Sequence, residues 1–412
     1  MKKTLLACFI TLAVSSVQAA SLLPPGAADQ QPSKLVAAPL PDGEFERQPV
    51  AMAWAMDPAS ELAVSAPHLA ESREYWAAVE ASQLKSGFAL TTTAPGALVR
   101  ISPERQAKSG AVDPGEVRLL RNGQPLPESA FKRLATSDQL KRAGMDVSDG
   151  TVIVQLDESL GQGRFQLQLG KASGRYLVHV FEPRSSIVLL AQSERSRLLA
   201  GDTVEVATRL ETGKSALAGA VVQAQLVSPS GQAWPMDVAD GKARALLPLD
   251  ADPTPGLWEV QLFAGAAGKD GPVQRDARTA IEVSRPTARL GGGYAFDPGS
   301  VKFSLPVQVA APGRYELRGV LYATGPQGSL QPVAQAHSAN WLEAGDGKLD
   351  LAFGPGNLPI GYGAPFELRF LELKDQTRLG TLETRELALR VAGSRRPLDR
   401  EPGETIERRR VR

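Results

Sequence analysis

A short motif that returns four times along the chain limits the possible fold more than any other feature of the sequence. It places an aromatic residue within three positions of a glycine and then alternates apolar with polar residues. Because successive side chains of a β-strand point to opposite faces, the alternation predicts strands with one buried and one wet face. We expect its aromatic residues to belong to the core. The copies are GRFQLQL from Gly163, GLWEVQL from Gly256, GRYELRG from Gly313 and GAPFELRF from Gly363.

The spacing of this motif predicts the domain organisation. Phe165, Trp258 and Phe366 lie roughly 100 residues apart, which is the length of one immunoglobulin-like sandwich. The copy at Tyr315 comes early in its segment, so we interpret it as a second strand of the same domain. Between the copies, short alternating segments are separated by turns rich in glycine and proline. Both residues are plentiful, with 39 glycines and 31 prolines in the chain. The sequence therefore predicts two successive sandwiches, over residues 185–285 and 286–393.

The segment before these sandwiches, residues 51–184, has a mixed and mostly β pattern. Pro127–Ala143 carries apolar residues at helical spacing and ends before Gly144, which predicts a short helix. Ser72–Lys85 fits a helix or a strand equally, so the structure of residues 67–90 stays open. The predicted fold class is mainly β, with tandem immunoglobulin-like β-sandwiches preceded by a mixed, mostly β N-terminal domain with a short helix.

Residues 1–19 have the pattern of a secretory signal peptide. Two lysines precede the apolar run Leu5–Val14, and Val17-Gln18-Ala19 fits the small-x-small cleavage pattern. A lipoprotein signal is disfavoured because most of the apolar run follows Cys8, whereas it should precede the cysteine. We therefore expect a periplasmic or secreted protein. Cys8 is the single cysteine, so the mature chain would be disulfide-free and would depend on its cores for stability.

The two remaining segments are predicted to lie outside the domains. Residues 20–50 are rich in proline and small polar residues, which predicts an extended arm or linker. Residues 394–412 lack apolar residues for a core and are predicted to be a disordered tail. No segment after the signal peptide is apolar enough to form a transmembrane helix. The 46 basic and 45 acidic residues nearly cancel, which argues against a nucleic-acid-binding class.

The sequence contains no motif that points to catalysis. HExxH, GxSxG and a phosphate-binding loop are all absent, and the three histidines are not at metal-ligand spacing. We therefore predict no catalytic residue and no cofactor. Calcium is the one metal with weak candidate ligands, Asp346 and Asp350, because it prefers hard oxygen ligands. Asp346-Gly347 also resembles a hairpin turn between two strands.

Three residues are weak candidates for binding a ligand. Trp234 lies in the turn-flanked segment SGQAWPMD and is expected to be the most exposed of the five tryptophans. Like Trp54, Trp76, Trp258 and Trp341, it could stack on a sugar. His337 and Trp341 lie in AQAHSANW, where Ser338 and Asn340 could complete a shallow site. The competing interpretation is a structural role for each, with the tryptophans capping the sandwiches.

The stretch EYWAAVEASQLKSGFALTTTAPGALVRISP (Glu74–Pro103), followed by two sandwich-like segments, resembles a family of exported bacterial proteins known as domain of unknown function 4785. The resemblance implies an N-terminal domain followed by two immunoglobulin-like domains, and export. It implies no catalytic residues. The middle segment also resembles the macroglobulin-type sandwiches of large secreted bacterial proteins.

These observations favour an exported, non-enzymatic interaction or structural protein of the bacterial envelope or extracellular space. Its partner would be a protein or a glycan, because spare loops and strand edges are what such domains present. The alternative is a secreted hydrolase or a carbohydrate-binding accessory module, since the mixed first domain differs from the sandwiches and could hold a site.

Overall fold

The computed structural model describes residues 20–63, 66–104, 107–250 and 254–393. The predicted signal peptide and the predicted C-terminal tail lie outside these residues. Within them the fold is mainly β, as the sequence predicts, with several sheets and two short α-helices. Neither helix is long or apolar enough to cross a bilayer.

The strands and helices follow one another in four groups. The N-terminal arm contributes β1 (Ala20–Ser21) and β2 (Val50–Ala55). The N-terminal domain contains β3 (Leu69–Ser72), β4 (Glu74–Glu80), α1 (Ala81–Ser86), β5 (Phe88–Thr92), β6 (Leu98–Pro103), β7 (Val117–Arg121), β8 (Gln124–Pro125), β9 (Phe131–Thr136), α2 (Ser137–Arg142), β10 (Val152–Leu156), β11 (Gly163–Leu169) and β12 (Arg175–Phe181). The middle sandwich contains β13 (Ile187–Ser193), β14 (Arg197–Leu199), β15 (Thr203–Thr212), β16 (Ser215–Ala216), β17 (Val221–Val227), β18 (Ala233–Ala239), β19 (Lys242–Leu246), β20 (Trp258–Gly268) and β21 (Gly271–Ser284). The last sandwich contains β22 (Ala288–Leu290), β23 (Gly293–Asp297), β24 (Lys302–Val309), β25 (Gly313–Thr324), β26 (Leu330–Leu342), β27 (Gly345–Ala352), β28 (Gly363–Asp375) and β29 (Gly380–Val391).

The chain divides into two compact units. Residues 65–283 form one, which we call the inserted unit, and the segments up to residue 64 and from residue 284 form the other, the outer unit. The outer unit therefore joins the N-terminal arm to the last sandwich. The inserted unit contains the rest of the N-terminal domain and the middle sandwich.

Each part of the inserted unit has its own core. In the N-terminal domain, the sheet β4-β12-β6-β10-β9 and the sheet β5-β11-β7-β8 enclose a cluster that includes Val99, Ile101 and Val178. The middle sandwich is one continuous sheet, because β18 pairs with β17 through its first half and with β19 through its second. Although β3 comes earlier in the chain, it pairs with β13 and belongs to this sheet. Its core contains Leu226 and Val260.

A buried ion pair lies where these two parts of the inserted unit meet. Arg275 Nη2, on β21, is 2.8 Å from Glu182 Oε2, and both side chains are almost wholly buried. Glu182 also accepts the backbone N–H of Ala94, and Arg275 donates to the carbonyl of Ile187 and the hydroxyl of Ser185. Removing either side chain would leave the other buried without its opposite charge, which the remaining hydrogen bonds do not supply.

The outer unit is a two-sheet sandwich. One sheet runs β1-β23-β24-β22, with β27 also paired to β24, and the second runs β2-β26-β25-β28-β29. Side chains from both sheets form one core, which includes Phe303, Leu317, Leu351 and Leu368.

The aromatic residues of the repeated motif all lie in these cores, as the alternation predicts. Phe165, Trp258, Tyr315 and Phe366 are each 6% exposed or less. Along β11 buried residues alternate with half-buried and exposed ones, so the aromatic and the following leucines share the inner face. The motif is therefore a packing motif, and these four residues are not available to a ligand.

The structure differs from the sequence prediction in how the arm is used. Of the two alternatives predicted for residues 20–50, an extended arm or a linker, the structure has an extended arm, in which β1 pairs with β23 and Gln30 bridges to Thr384. Residues 51–55, predicted to open the N-terminal domain, instead belong to β2, which pairs with β26 of the last sandwich. Alternation along β2 could not predict this pairing, because the six residues of the strand are all apolar.

Two local predictions were also wrong. Only Ser137–Arg142 of the predicted helix Pro127–Ala143 is α-helical, because Phe131–Thr136 instead pairs with β10 as β9. Asp346-Gly347 is not a hairpin turn but lies inside β27, and the preceding strand β26 belongs to the opposite sheet. The undecided segment Ser72–Lys85 contains both structures, since β4 continues directly into α1.

Candidate functional site

The outer face of the sheet β2-β26-β25-β28-β29 exposes a pair of large apolar side chains. Met52 is 53% exposed and Trp54 is 45% exposed, and both lie on β2 at the side of the sheet. Ala53, between them, points the other way and packs against the core. On the neighbouring strand, Met52 lies opposite His337. We call Met52, Trp54 and His337 with its polar partners the aromatic face.

A row of polar side chains continues the aromatic face across the next strands. His337 Nδ1 is 3.0 Å from Glu316 Oε1, and Gln376 Nε2 donates to Glu316 Oε2 at 2.6 Å. Burial acts to raise the pKa of Glu316, but the hydrogen bonds from His337 and Gln376 outweigh it and hold the pKa below its usual value. The face therefore combines an apolar side with a fixed, hydrogen-bonded polar centre.

Trp341 shares this face with His337 but is partly covered by the arm. The Arg47 guanidinium lies 4.2 Å from the Trp341 ring, and the Phe45 ring is 6.2 Å away. Its indole N–H donates to Glu343 at 2.7 Å. The predicted companions Ser338 and Asn340 alternate to the opposite side of β26, so the structure brings only His337 and Trp341 onto one surface.

One edge of this sheet, the outer side of β29, is covered by other parts of the outer unit. We call it the covered edge. Gln30 is 3% exposed and exchanges backbone hydrogen bonds with Thr384 in both directions. Its side-chain amide also donates to two carbonyls of β29. Three further backbone groups of β29 are bonded, namely Glu386 N–H to Asp29, Ala388 C=O to Leu23 N–H and Arg390 C=O to the Tyr294 hydroxyl.

The opposite edge, the outer side of β2, is uncovered, and we call it the open edge. Met56 N–H donates to Val333 on β26, and bonding direction alternates along an antiparallel strand. The N–H and C=O groups of Ala51, Ala53 and Ala55 therefore point outward. No group of the described residues hydrogen-bonds to them.

Trp234 lies in the inserted unit. It is half-buried and stacks on buried Trp258, with ring centroids 5.3 Å apart, so it is less exposed than Trp54, contrary to the sequence prediction. It lines an open groove of about 540 Å³ together with Gln223, Met236 and Phe263. An aromatic residue in an open groove is compatible with a stacked ligand.

The structure does not bring the two calcium candidates together. Asp346 and Asp350 lie four residues apart on β27, which is roughly 13 Å along a strand. Asp350 is instead 3.8 Å from both Lys302 and Lys348. Among the residues described here, no group of three His, Cys, Asp or Glu side chains is arranged to hold a metal.

The N-terminal domain contains a second aromatic and charged cluster. The His179 ring stacks on Trp76 at 3.8 Å, and its Nε2 is 2.8 Å from Glu74 Oε2. The hydrogen bond from His179 lowers the pKa of Glu74. On β21, Asp276 accepts the N–H of Trp76 at 2.8 Å, and burial raises the pKa of Asp276 to about 6. This half-buried histidine is thus held by a stacked ring and by a hydrogen bond from the same domain.

Sequence reasoning identified part of the aromatic face and missed the rest. His337 and Trp341 were singled out, and Trp54 was one of the five tryptophans weighed as a stacking residue. Met52 and the open edge were missed because residues 51–184 were assigned to one domain. The signal that could have found them is the run VAMAWA, which contains no charge and no proline over six residues.

The fold and this surface define a multidomain β-sandwich protein with an exposed aromatic sheet face. Models of the domain of unknown function 4785 match residues 41–182, as its N-terminal domain, and residues 287–392, as its C-terminal domain. The chain belongs to this family. No curated protein matches the chain.

A crystal structure of a member of this family from Legionella pneumophila is similar over most of both chains. It is 21% identical, covers 88% of this chain and 98% of its own, and has a TM-score of 0.72. At this identity the likeness shows the fold alone. A putative membrane-anchored protein from Corynebacterium diphtheriae, at 13% identity over 86% of this chain and 94% of its own, has a TM-score of 0.18. Escherichia coli alpha-2-macroglobulin, at 14% identity over 84% of this chain and 31% of its own, has a TM-score of 0.20. The last two carry no argument.

Proposed function

We propose that this protein is exported to the periplasm or the cell exterior and acts there by binding a partner or holding a structure, not by catalysis. The observation that carries the proposal is the aromatic face. Exposed apolar side chains that are grouped beside fixed polar groups are typical of interaction surfaces. Met52 and Trp54 are grouped in this way beside His337 and Glu316.

The export half of the proposal is supported by the pattern of residues 1–19 and is tested directly. The full chain would be expressed in a Gram-negative host, and the periplasmic fraction would be analysed by intact mass. We expect a mature chain beginning at Ala20. A full-length product retained in the cytoplasm would contradict export.

The binding half is tested by site-specific photo-crosslinking in living cells. A photoreactive phenylalanine analogue would replace Trp54, and the matched control would carry it at Leu379, which is 79% exposed on a turn of the same unit. We expect discrete adducts from position 54 and none from position 379. Equal labelling at both positions, or none at either, would argue against a role for the aromatic face.

A second candidate function, a carbohydrate-binding module, is favoured by the groove that Trp234 lines. Its test is affinity electrophoresis of the mature chain in gels containing polysaccharides. Retardation that is lost in Trp234→Ala and kept in Trp54→Ala would support this alternative over the aromatic face. Unchanged mobility across the panel would weigh against it.

A further inference from the structure

The open edge of β2 differs from ordinary sheet edges because it has no protection against pairing. Natural edge strands are shielded by charges, proline, bulges or a covering segment. The six residues of β2 contain no charge or proline, and its pairing with β26 runs without a bulge. Ala51, Met52, Trp54 and Ala55 are exposed along it. The strand is therefore ready to accept another strand.

We infer that the occupant of the open edge is a second copy of this chain, whose β2 pairs antiparallel with the first across a two-fold axis at Ala53. The inference rests on the proposed function, because it names the partner of the same aromatic face. The two five-stranded sheets would then become one continuous sheet of two protomers.

The hydrogen-bonding direction of β2 determines which registers are possible. Only Ala51, Ala53 and Ala55 present outward N–H and C=O groups, so a partner must align its own odd-numbered residues with these. Centring on Ala53 pairs Ala53 with its copy and Ala51 with Ala55. This register uses all three outward residues of each copy.

The same register makes the side chains of the aromatic face complementary. Residues directly opposite in an antiparallel pair share a face, so Met52 of each copy lies opposite Trp54 of the other. These are non-hydrogen-bonded pairs, in which side chains approach most closely. A methionine sulfur against an aromatic ring is a favourable contact. A register shifted by two residues would place Met52 against itself and leave Trp54 without this partner.

The area available limits how tightly the two copies can bind. A large side chain contributes roughly 200 Å², so the exposed parts of Met52 and Trp54 offer on the order of 100 Å² each. Two copies of the strand would bury a few hundred Å², which is below the roughly 1,000 Å² of a stable interface. We therefore expect a weak, reversible dimer that forms only at high protein concentration.

The test uses cysteine pairs, because the chain from Ala20 onward contains no cysteine of its own. Met52→Cys and Trp54→Cys proteins carrying different tags would be mixed and oxidised under mild conditions. The proposed register brings these two positions to a Cα separation of about 4.5 Å, within disulfide range. We expect the mixed heterodimer to form at least tenfold faster than a disulfide within either single variant. A Leu379→Cys protein is the matched exposed control and should stay monomeric.

Sedimentation velocity of the cysteine-free mature chain over a concentration series provides the second readout. We expect a monomer–dimer equilibrium that Trp54→Lys and Ala53→Pro each abolish and Leu379→Lys does not. Ala53→Pro removes only an outward N–H, which an edge strand tolerates, and circular dichroism would verify that both variants fold.

Each other outcome overturns the inference. A monomer at every concentration, together with adducts from position 54 to a different protein, would refute the dimer and still support the proposed function. A monomer with no adducts would remove both. A dimer that crosslinks best through Met52→Cys alone would refute the register centred on Ala53.

Discussion

The two edges of one sheet in the outer unit differ in whether their outward backbone groups have hydrogen-bond partners among the described residues. At the covered edge, the arm and Tyr294 supply partners to the outward groups of β29, and Gln30 is almost wholly buried there. At the open edge, the same arm ends as β2 and leaves its own outward groups without partners among the described residues. The difference shows that the arm protects one edge by creating another. An edge that is left apolar and unprotected is where an interaction protein can recruit a strand.

The largest expected effect comes from the buried ion pair beside the covered edge. Arg385 Nη2 is 2.7 Å from Glu383 Oε1, both side chains are buried, and Arg385 also donates to the carbonyl of Leu23 in the arm. Arg385→Met would leave Glu383 buried without its opposite charge, so we expect a loss of about 3–5 kcal/mol of unfolding free energy in urea denaturation.

The matched control for this substitution is Arg390→Met on the same strand. The Arg390 side chain is 63% exposed, and its partner Glu367 keeps Arg369. We expect a change of less than about 1 kcal/mol. Similar losses of unfolding free energy for both variants would mean that the effect of Arg385→Met does not come from the burial of its ion pair.

The next effect concerns the arm itself. Gln30→Ala removes the side-chain donors to the carbonyls of Thr381 and Leu382. We expect a loss of about 1–3 kcal/mol, toward the lower end because Gln30 Oε1 is itself buried without a partner. Gln48→Ala, at an exposed position of the same arm, should change stability by less than about 0.5 kcal/mol. Chemical denaturation of both proteins measures the difference, and equal values would show that Gln30 does not anchor the arm.

A smaller effect is expected at the aromatic face, where the contribution of Glu316 to stability depends on pH. The pKa of Glu316 is lowered in the folded state from its ordinary value of 4.5. Its contribution to stability is therefore present above about pH 4.5 and is lost as the pH falls through the folded-state pKa. We expect Glu316→Gln to cost less than about 1 kcal/mol at pH 7, after allowing for solvent screening.

This cost should shrink as unfolding is repeated at successively lower pH, because the wild-type carboxylate becomes protonated as the pH falls through its lowered pKa. Glu61→Gln, at an exposed position of the same unit, serves as the control and should show no such trend. A cost for Glu316→Gln that stays constant with pH would mean that the hydrogen bonds of Glu316 do not depend on its charge.

The smallest effect on the monomer is expected at the open edge. Trp54→Lys, measured in dilute solution where the chain is monomeric, should change the unfolding free energy by less than about 0.5 kcal/mol, because Trp54 is exposed and makes few contacts. Thermal unfolding of the two proteins at low concentration measures this. A loss above 2 kcal/mol would show that Trp54 is part of the core and that the edge is not open.

Local patterns predicted the cores much better than they predicted the candidate site. Phe165 and Trp258 were assigned to buried strand faces from alternation alone, and the structure confirms this. His337 was also singled out. Its partner Glu316, and Met52 on the next strand, could not be predicted, because their proximity depends on how distant strands pair.

The sequence by itself determined which side of each strand is apolar. It also determined where glycine permits a sharp entry into a strand, as at Gly163 and Gly256, where the φ values of 135° and 144° favour glycine. These depend on neighbouring residues only. The tertiary structure alone decided that Gln30 bonds to Thr384, 354 residues further along the chain, and that β2 joins β26. Any exposed strand edge offers the same backbone donors and acceptors. The choice among edges is therefore made by the packing of the whole unit, and not by the sequence of the strand.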